Sequence, residues 1–318
     1  MRASTEPAGD LGLSLVWDAP FPLDVRLVLG VHRRGPQDPA YRNEGTGAIW
    51  RTSLTPDGPA TLRVTAAPAG PGRAGPRITG TAWGQGASWM LGRLPGLLGA
   101  GDDPAAFTPL HPRLVQLAAR YPGLRIGRTD RVLEALVPAV LEQKVVGIEA
   151  NRAWKRLLSW HGTAAPGPAP EGMRVFPAAR VWQTIPSWDW HRAGVEGVRA
   201  ATIARAAAVA SRLEPLCGLP GDIADRRLRS LPGIGPWTSA EIRQRACGDA
   251  DAVSVGDYHL PSRVGWALTG RPADDAEMLA LLAPYAGQRH RAARLIELGG
   301  GGPPRRGPRM SVRDYRSF

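Results

Sequence analysis

The sequence predicts an α+β protein, a small N-terminal antiparallel β-sheet domain followed by an all-α body. The first hundred residues alternate apolar and polar side chains, as half-buried strands do. Beyond about residue 104 the apolar residues recur with the helical period. The change falls in the Gly/Asp/Pro-rich segment around Asp102, which is typical of a boundary. We therefore predict domains over 1–103 and 104–300, and an Arg/Pro/Gly-rich tail over 301–318.

The N-terminal segment is expected to contain several short strands. "DVRLVLGV" places Val25, Leu27, Leu29 and Val31 on one face of a strand, and "TLRVTA" and "RITGTAW" repeat that pattern. The Gly/Pro-rich "PAGPGRAGP" predicts a hairpin loop between strands. A helix is expected near "SWMLGRLPGLLG".

The second domain is predicted to be helical throughout. Its helical segments include "PRLVQLAARY", "RVLEALVPAVLEQKVVGIEANRAWKRLLSWHG", "RAATIARAAAVASRLEPL", "EMLALLAPY" and "HRAARLIELGG". The Pro-rich "TAAPGPAPEG" after His161 predicts an exposed loop between helices. The tail is expected to be mobile or to lie along the surface.

The charge balance indicates a polyanionic partner. Among the 318 residues, 40 Lys and Arg face 28 Asp and Glu, which leaves a net charge of +12. Nucleic acid is favoured over a membrane surface, although the arginine-rich usage of a GC-rich genome is an alternative explanation. No apolar run is long enough for a transmembrane helix, and the N-terminus lacks the apolar core of a signal peptide. We expect a cytoplasmic protein without a membrane partner.

Cysteine and histidine usage argues against a metal centre. Cys217 and Cys247 are the only cysteines, too few for a four-thiolate iron–sulfur or zinc site, and nothing indicates a disulfide scaffold. The histidines show no metal-ligand spacing. We predict neither a metal nor a cofactor.

"RRLRSLPGIGPWTSAEIRQRA" predicts two helices joined by a five-residue turn. Gly233 and Gly235 can adopt positive φ, and Pro236 suits the first position of the second helix. The amides of such a turn can cradle a backbone phosphate without reading sequence. The alternative is a purely structural turn. The predicted phosphate-binding residues are Leu231, Gly233, Ile234, Gly235 and Thr238.

"LPGIGPWTSAEI" followed by "SVGDYHL" resembles the helix–hairpin–helix DNA glycosylases with a Gly/Pro-rich loop and a catalytic aspartate. The segment is most similar to the DNA-3-methyladenine glycosylase II branch. The resemblance covers about Phe107 to Gly299, including "VPAVLEQKVVGIEANRAW", which is similar to the family's helix bearing a Gln near the flipped base. It implies a base-excision-repair glycosylase that hydrolyses the N-glycosidic bond of alkylated purines of the 3-methyladenine type.

The resemblance gives Asp257 the catalytic role. Positive charge builds on the deoxyribose as the glycosidic bond stretches, and a carboxylate beside the sugar stabilises it and can orient or deprotonate water. The alternative is that Asp257 caps the next helix, and both roles can hold together. Asp249 and Asp251 are rival acids, expected to be solvated loop residues.

Trp237 distinguishes subclasses within the resemblance. Related glycosylase/lyases, such as endonuclease III-like enzymes, carry a lysine nucleophile at this place. Tryptophan has no nucleophile, so the resemblance implies a monofunctional enzyme without AP-lyase activity.

Four residues are predicted to contact the flipped base or the gap that it leaves. Trp237 and Tyr258 are candidate pocket walls, with core packing as the alternative. The resemblance places Gln143 and Lys144 at the gap, where the branch commonly has an apolar wedge after the Gln. Lys144 departs from that pattern: its stem could fill the gap, it could be a surface residue, or it could serve as an unusual lyase nucleophile.

Other residues have less specific expectations. Six tryptophans are expected only to pack in the core: Trp154, Trp160, Trp182, Trp188, Trp190 and Trp266. Five basic residues are candidate phosphate contacts or solvated helix faces: Arg243, Arg245, Arg289, His290 and Arg291. The expected partner is double-stranded DNA containing damaged bases, bound by a monomer. The alternatives are a non-catalytic helix–hairpin–helix DNA-binding protein and a glycosylase for oxidised or mismatched bases.

Overall fold

The computed structural model describes residues 12–303 of the chain. The first eleven residues and most of the predicted tail, 304–318, lie outside them. Within the described part the chain is α+β, as the sequence predicted: a five-stranded antiparallel sheet accompanied by many helices. The domain boundary at 103/104 stays a prediction.

The N-terminal sheet has the strand order β1-β5-β4-β3-β2, with every neighbouring pair antiparallel. A separate two-stranded sheet pairs β6 with β7. The predicted strands "TLRVTA" and "RITGTAW" are confirmed within β4 and β5. The strand bounds are β1 (Leu13–Asp18), β2 (Tyr41–Asn43), β3 (Ile49–Thr55), β4 (Gly58–Ala67), β5 (Arg77–Trp83), β6 (Thr163–Ala164) and β7 (Arg174–Val175).

The helices are numbered in chain order. Those up to the long central pair are α1 (Val25–Leu29), α2 (Ala87–Gly92), α3 (Leu94–Leu97), α4 (Pro112–Arg120), α5 (Val132–Leu141) and α6 (Gly147–His161). The next are α7 (Ala179–Thr184), α8 (Ser187–Ala193), α9 (Gly197–Ala208), α10 (Ala210–Leu213) and α11 (Gly221–Arg229). The last are α12 (Pro236–Ile242), α13 (Leu260–Thr269), α14 (Asp275–Leu282) and α15 (Arg289–Gly299). The helix expected near "SWMLGRLPGLLG" is confirmed as α2 and α3.

The predicted strand "DVRLVLGV" is wrong, because this segment forms the short helix α1. The Asp24 carboxylate accepts hydrogen bonds from the amides of Arg26 and Leu27, at 2.9 and 3.1 Å, and so caps the helix. The buried positions are Val25, Val28 and Leu29, which share a helix face rather than a strand face. A local cap therefore outweighed the alternation of apolar residues.

Three hydrophobic clusters make up the core. One packs the N-terminal sheet against α1–α3, and a second is built from helices over 132–246. The third joins α4 to α13, α14 and α15. Helix α5 is buried over nearly its whole circumference, which makes it the central helix of the second cluster.

Two further sequence expectations need correction. The helical segment 131–162 is broken over 142–146, where Lys144 has φ of 55°, so Gln143 lies in a turn between α5 and α6 and not on a helix. The two cysteines, for which no disulfide was expected, are joined as a Cys217–Cys247 disulfide. The bond links the segment after α10 to the end of a π-helical segment, Arg243–Cys247, that continues α12.

The Pro-rich segment after His161 is more ordered than a simple exposed loop. Its first two residues form β6, which pairs with β7 just beyond its end, and its Gly167 lies against the Trp83 side chain at the end of β5. The loop therefore contacts the N-terminal sheet. Within residues 12–303, no helix is long and apolar enough to cross a membrane, and no group of three His, Cys, Asp or Glu side chains could hold a metal ion.

Candidate active site

The turn between α11 and α12 lies where the sequence predicted it. The Leu231 amide donates to the Leu228 carbonyl, and the Ile234 amide donates to the Leu231 carbonyl, at 3.1 and 3.0 Å. The Ile234 side chain is buried in the cluster built over 132–246. These bonds close the turn and leave α12 to start at Pro236.

The two glycines of the turn are not equivalent, contrary to the expectation that both could use positive φ. Gly233 has φ of 95°, and a Cβ there would collide with the Thr202 side chain of α9. Gly235 has φ of −94° and open space where a Cβ would point. Among the hydrogen bonds of residues 12–303, the amides of Gly233 and Gly235 serve as donors in none.

Gln143 connects the α5–α6 turn to the hairpin by hydrogen bonds. Its amide nitrogen donates to the Gly233 carbonyl at 2.9 Å and to the Thr238 hydroxyl at 2.8 Å. The adjacent Lys144 is exposed and has positive φ, a strained conformation for a residue with a side chain. Thr238 is buried, so it supports the turn through Gln143 rather than contacting an external group. Two segments about ninety residues apart thus form one surface.

Asp257 is held by three N–H donors. Its Oδ1 accepts from the amides of His259 and Leu260, both at 2.8 Å, and so caps the start of α13. Its Oδ2 accepts from the indole Nε1 of Trp237 at 3.1 Å. The capping role is therefore present, and the Trp237 contact fixes the second oxygen as well.

A cavity of about 240 Å³ opens beside this pair and is lined by both Trp237 and Asp257. Its walls come from α12, the start of α13 and α15, together with Leu27 and Val28 of the N-terminal α1. The cavity thus lies between two hydrophobic clusters, since Val28 belongs to that of the N-terminal sheet, and Leu260 and Ala293 belong to that of α4, α13, α14 and α15. Its volume is below that of pockets for drug-sized ligands and suits a single nucleobase.

The cavity is rich in charged groups. Four carboxylates and three guanidiniums line it: Glu142, Glu241, Asp257 and Glu297, with Arg125, Arg245 and Arg294. Glu241 accepts from Arg245 at 2.6 Å and from the Ser254 hydroxyl at 2.7 Å. Burial alone would raise the pKa of Glu241, but Arg245 and Ser254 outweigh it and lower the pKa, which keeps the carboxylate charged.

Tyr258 lies outside this cavity. It is 82% exposed, and it does not line the cavity beside its neighbour Asp257. Three of the tryptophans expected in the core, Trp160, Trp188 and Trp266, are also substantially exposed. The other three, Trp154, Trp182 and Trp190, are buried as expected.

Asp249 and Asp251, the alternative candidates for the catalytic acid, form ion pairs with candidate phosphate-binding arginines. Asp249 pairs with Arg243, and Asp251 accepts two bonds from the Arg289 guanidinium. Neither aspartate is the solvated loop residue expected. Arg291 is buried against Asp102. These ion pairs hold the loop before α13 and the start of α15 in place, and they take these arginines out of the set available to a partner.

Sequence reasoning missed several residues near the site. Glu241 and Arg294 had no assigned role, and Arg205 of α9 donates to the Pro232 carbonyl of the hairpin turn at 3.3 Å. The spacing of Glu241 and Arg245 by four residues on a helix could have indicated their ion pair. Nothing local could have placed α15 against the cavity, because that contact depends on the packing of distant helices.

The chain is similar in sequence to a curated DNA repair protein. No protein-family model matches the chain. Over 182 residues, the chain is 32% identical to a protein described as "Probable bifunctional transcriptional activator/DNA repair enzyme AlkA" from Mycobacterium tuberculosis. The match covers 56% of this chain and 36% of the relative. The chain therefore spans about a third of the length of the curated relatives it matches.

Solved structures share the fold over nearly the whole chain. A 3-methyladenine DNA glycosylase from Archaeoglobus fulgidus superposes with a TM-score of 0.71 at 17% identity, covering 89% of this chain and 97% of that one. An 8-oxoguanine glycosylase/lyase from Clostridium acetobutylicum gives 0.66 at 12% identity, covering 91% and 98%. At these identities the likeness establishes the fold. Together with the AlkA match, it confirms the resemblance indicated by the hairpin and Asp257 motifs.

Proposed function

We propose that the protein is a DNA glycosylase of base-excision repair that hydrolyses the N-glycosidic bond of alkylated purines in double-stranded DNA. The observation that carries this proposal is the Asp257 carboxylate, held by Trp237 and by the start of α13 at the wall of a base-sized cavity. A non-catalytic DNA-binding protein would need neither the acid nor the cavity.

The chemistry follows from the charge that the reaction generates. As the base leaves, the deoxyribose becomes oxocarbenium-like, and a fixed carboxylate beside it stabilises that charge. Because both Asp257 oxygens are held by N–H donors, the carboxylate needs no reorientation when the charge appears. The same carboxylate orients or deprotonates the attacking water. Alkylated purines are cationic and leave readily, so one acid suffices.

The hairpin is the proposed DNA anchor. The free amides of Gly233 and Gly235 would bind a phosphate without reading sequence, and the internal hydrogen bonds of the Leu231 and Ile234 amides would hold the turn in shape. Arg205 lies beside this turn and adds an exposed cation. Phosphate binding here would place the duplex across the cavity mouth.

The turn bound to the hairpin is the proposed gap-filling element. Gln143 fixes its position, and the exposed Lys144 would enter the space that the everted base vacates. The aliphatic stem of Lys144 would fill the gap while its ammonium reaches phosphate or the orphan base. Trp237 would form one wall of the base pocket, whereas the exposed Tyr258 would contact DNA at the rim.

We further propose that the enzyme is monofunctional. Trp237 occupies the place of the lysine nucleophile found in related lyases, and its indole N–H is already bound to Asp257. Lys144 and Lys155 are the only lysines in the chain. The Lys155 ammonium is paired with Gln37. Lys144 is thus the one alternative nucleophile to be tested.

The deciding experiment measures release of 3-methyladenine and 7-methylguanine from methylated duplex DNA by the wild type and by Asp257→Asn. We expect release by the wild type and a loss of at least about a hundredfold in the variant, since a fixed electrostatic group contributes on that scale. Equal release by both would remove Asp257 from the chemistry. No release by the wild type, with DNA binding intact, would favour a non-catalytic binding protein.

A second measurement separates the reaction classes. Borohydride trapping on DNA containing an abasic site should give no covalent complex with the wild type or with Lys144→Ala. Trapping that depends on Lys144 would overturn the monofunctional assignment. Release of 8-oxoguanine but not of 3-methyladenine would favour the oxidised-base alternative, in line with the name of the Clostridium neighbour.

A further inference from the structure

Most polar groups around the cavity are hydrogen-bonded or ion-paired to one another. Gln244 donates to the Ala252 carbonyl and to the Ser254 hydroxyl, at 2.8 and 3.0 Å, and Ser254 donates to Glu241. Glu241 in turn holds Arg245. These groups form the cavity wall, and their hydrogen-bonding capacity is mostly consumed within the protein.

His290 is an exception. It lies in the first turn of α15 and lines the cavity with Trp237 and Asp257. Among residues 12–303, neither of its ring nitrogens has a hydrogen-bond partner. The ring nitrogens are not among the fully buried side-chain atoms, so they can meet a group that enters the cavity instead of a protein partner.

The surroundings of His290 keep the ring neutral. Desolvation lowers its pKa most, and the guanidiniums of Arg294, Arg245, Arg291 and Arg243 lower it further, to about 3. A neutral imidazole carries one N–H donor and one acceptor nitrogen. The arginines around the cavity can only donate and its carboxylates can only accept, so His290 differs from them in being able to do either.

We propose that His290 reads the hydrogen-bonding edge of the everted base, donating or accepting according to the tautomer of its ring. The inference rests on the proposed glycosylase function and names the residue that sets its substrate range. Adenine derivatives present an exocyclic amino donor at position 6, whereas guanine derivatives and hypoxanthine present a carbonyl acceptor there. A ring that can change tautomer satisfies both, so one pocket accepts damaged bases of both kinds.

The test compares base release under single-turnover conditions from duplexes that contain 3-methyladenine, 7-methylguanine or hypoxanthine. His290→Phe and His290→Leu remove both polar nitrogens, and His290→Gln keeps a donor and an acceptor on a rotatable amide. We expect Phe and Leu to lower release of each base by about tenfold, the scale of one buried hydrogen bond to a ligand. Gln should restore most of the loss.

Binding to a duplex with a tetrahydrofuran abasic analogue supplies the internal control. This duplex carries no base at the lesion, so its Kd should be the same for the wild type and all His290 variants. His191→Phe, at an exposed position on α8, should leave both release and binding unchanged. Thermal unfolding shows that each variant is folded before it is assayed.

Each contrary result has a distinct meaning. Wild-type release by both Phe and Leu variants, or equal losses in release and in abasic-analogue binding, would overturn the reading role of His290 and leave the glycosylase proposal standing. A Gln variant as impaired as Phe would also overturn the reading role, because a donor and an acceptor at this position would not restore release. Absence of base release from the wild type would overturn the glycosylase proposal and this inference with it.

Discussion

At the scale of single residues, Asp257 combines two roles that substitution can separate. Its Oδ1 caps α13, and its Oδ2 accepts from Trp237. Asparagine is also a good N-cap but lacks the negative charge. We expect Asp257→Ala to lower the free energy of unfolding by about 1 kcal/mol more than Asp257→Asn does, while both lower base release by at least about a hundredfold. Urea unfolding and the release assay would be run on the same preparations; equal stability of the two variants would contradict the cap.

His290 also predicts how stability responds to pH. Its pKa is about 3 in the folded protein against 6.5 as the ordinary value, so between these pH values the unfolded chain binds more protons. The stability from the neutral ring is complete above pH 6.5 and is lost as the pH falls towards 3. His290→Phe should therefore flatten the decline of unfolding free energy below pH 6.5, by up to about 1 kcal/mol per pH unit.

Urea unfolding at pH 7.5, 6.0 and 5.0 measures this difference. The charged groups around the ring are Arg291, Arg294 and Glu297 of α15, Arg243 and Arg245 of the π-helical segment, and Glu241 of α12. They are present in both proteins, so subtracting the variant's slope from that of the wild type isolates the histidine. The exposed His191→Phe should keep the wild-type slope, and an unchanged slope in His290→Phe would show that the fold does not lower the pKa of the ring.

At the scale of the element, the hairpin depends on one glycine more than on the other. Gly233→Ala places a methyl group against Thr202 at φ of 95°, so we expect it to lower the free energy of unfolding by about 1–3 kcal/mol. Gly235→Ala, at φ of −94° with open space, is the matched control and should change stability little. Equal losses in the two variants would mean that the turn does not constrain Gly233 as described.

The hairpin also shows why part of the site could be predicted from sequence. Its glycines, Pro236 and Asp257 lie within about thirty residues and obey local rules of turn and cap chemistry. The strand expected over 24–31 failed because the Asp24 cap, also a local signal, was given less weight than alternation. His290 could not be assigned to the cavity at all. Its place beside Trp237 depends on how α12 and α15 pack, which no short segment encodes.

At the scale of the molecule, the count of 40 Lys and Arg overstates the number of unpaired cations available to DNA. Many arginines are engaged in ion pairs inside the fold, as Arg245 and Arg291 are with Glu241 and Asp102. Binding is therefore expected to concentrate where backbone amides and a few exposed cations coincide, at the hairpin and Lys144. The net charge indicates the class of partner, but only the packed structure indicates which face would meet it.

The sheet and the helical body are also joined by a buried contact that predicts cooperative unfolding. Glu134 of α5 accepts from the Ser53 hydroxyl and the Leu54 amide of β3, at 2.8 and 2.7 Å, and pairs with Arg51 at 3.3 Å. Glu134→Ala would leave the buried Arg51, the Ser53 hydroxyl and the Leu54 amide without this partner. We expect it to lower the free energy of unfolding by about 3–5 kcal/mol.

The control for Glu134→Ala is Asp222→Ala, which breaks an exposed ion pair within α11 and should change stability little. Residues of α1 in the N-terminal part form a wall of the cavity beside Trp237. Loss of the Glu134 contact should therefore also lower the rate of base release at temperatures where the protein is still folded. Calorimetry and the release assay test both effects. Two separate unfolding transitions in the wild type would mean that the sheet does not depend on the Glu134 contact for its stability.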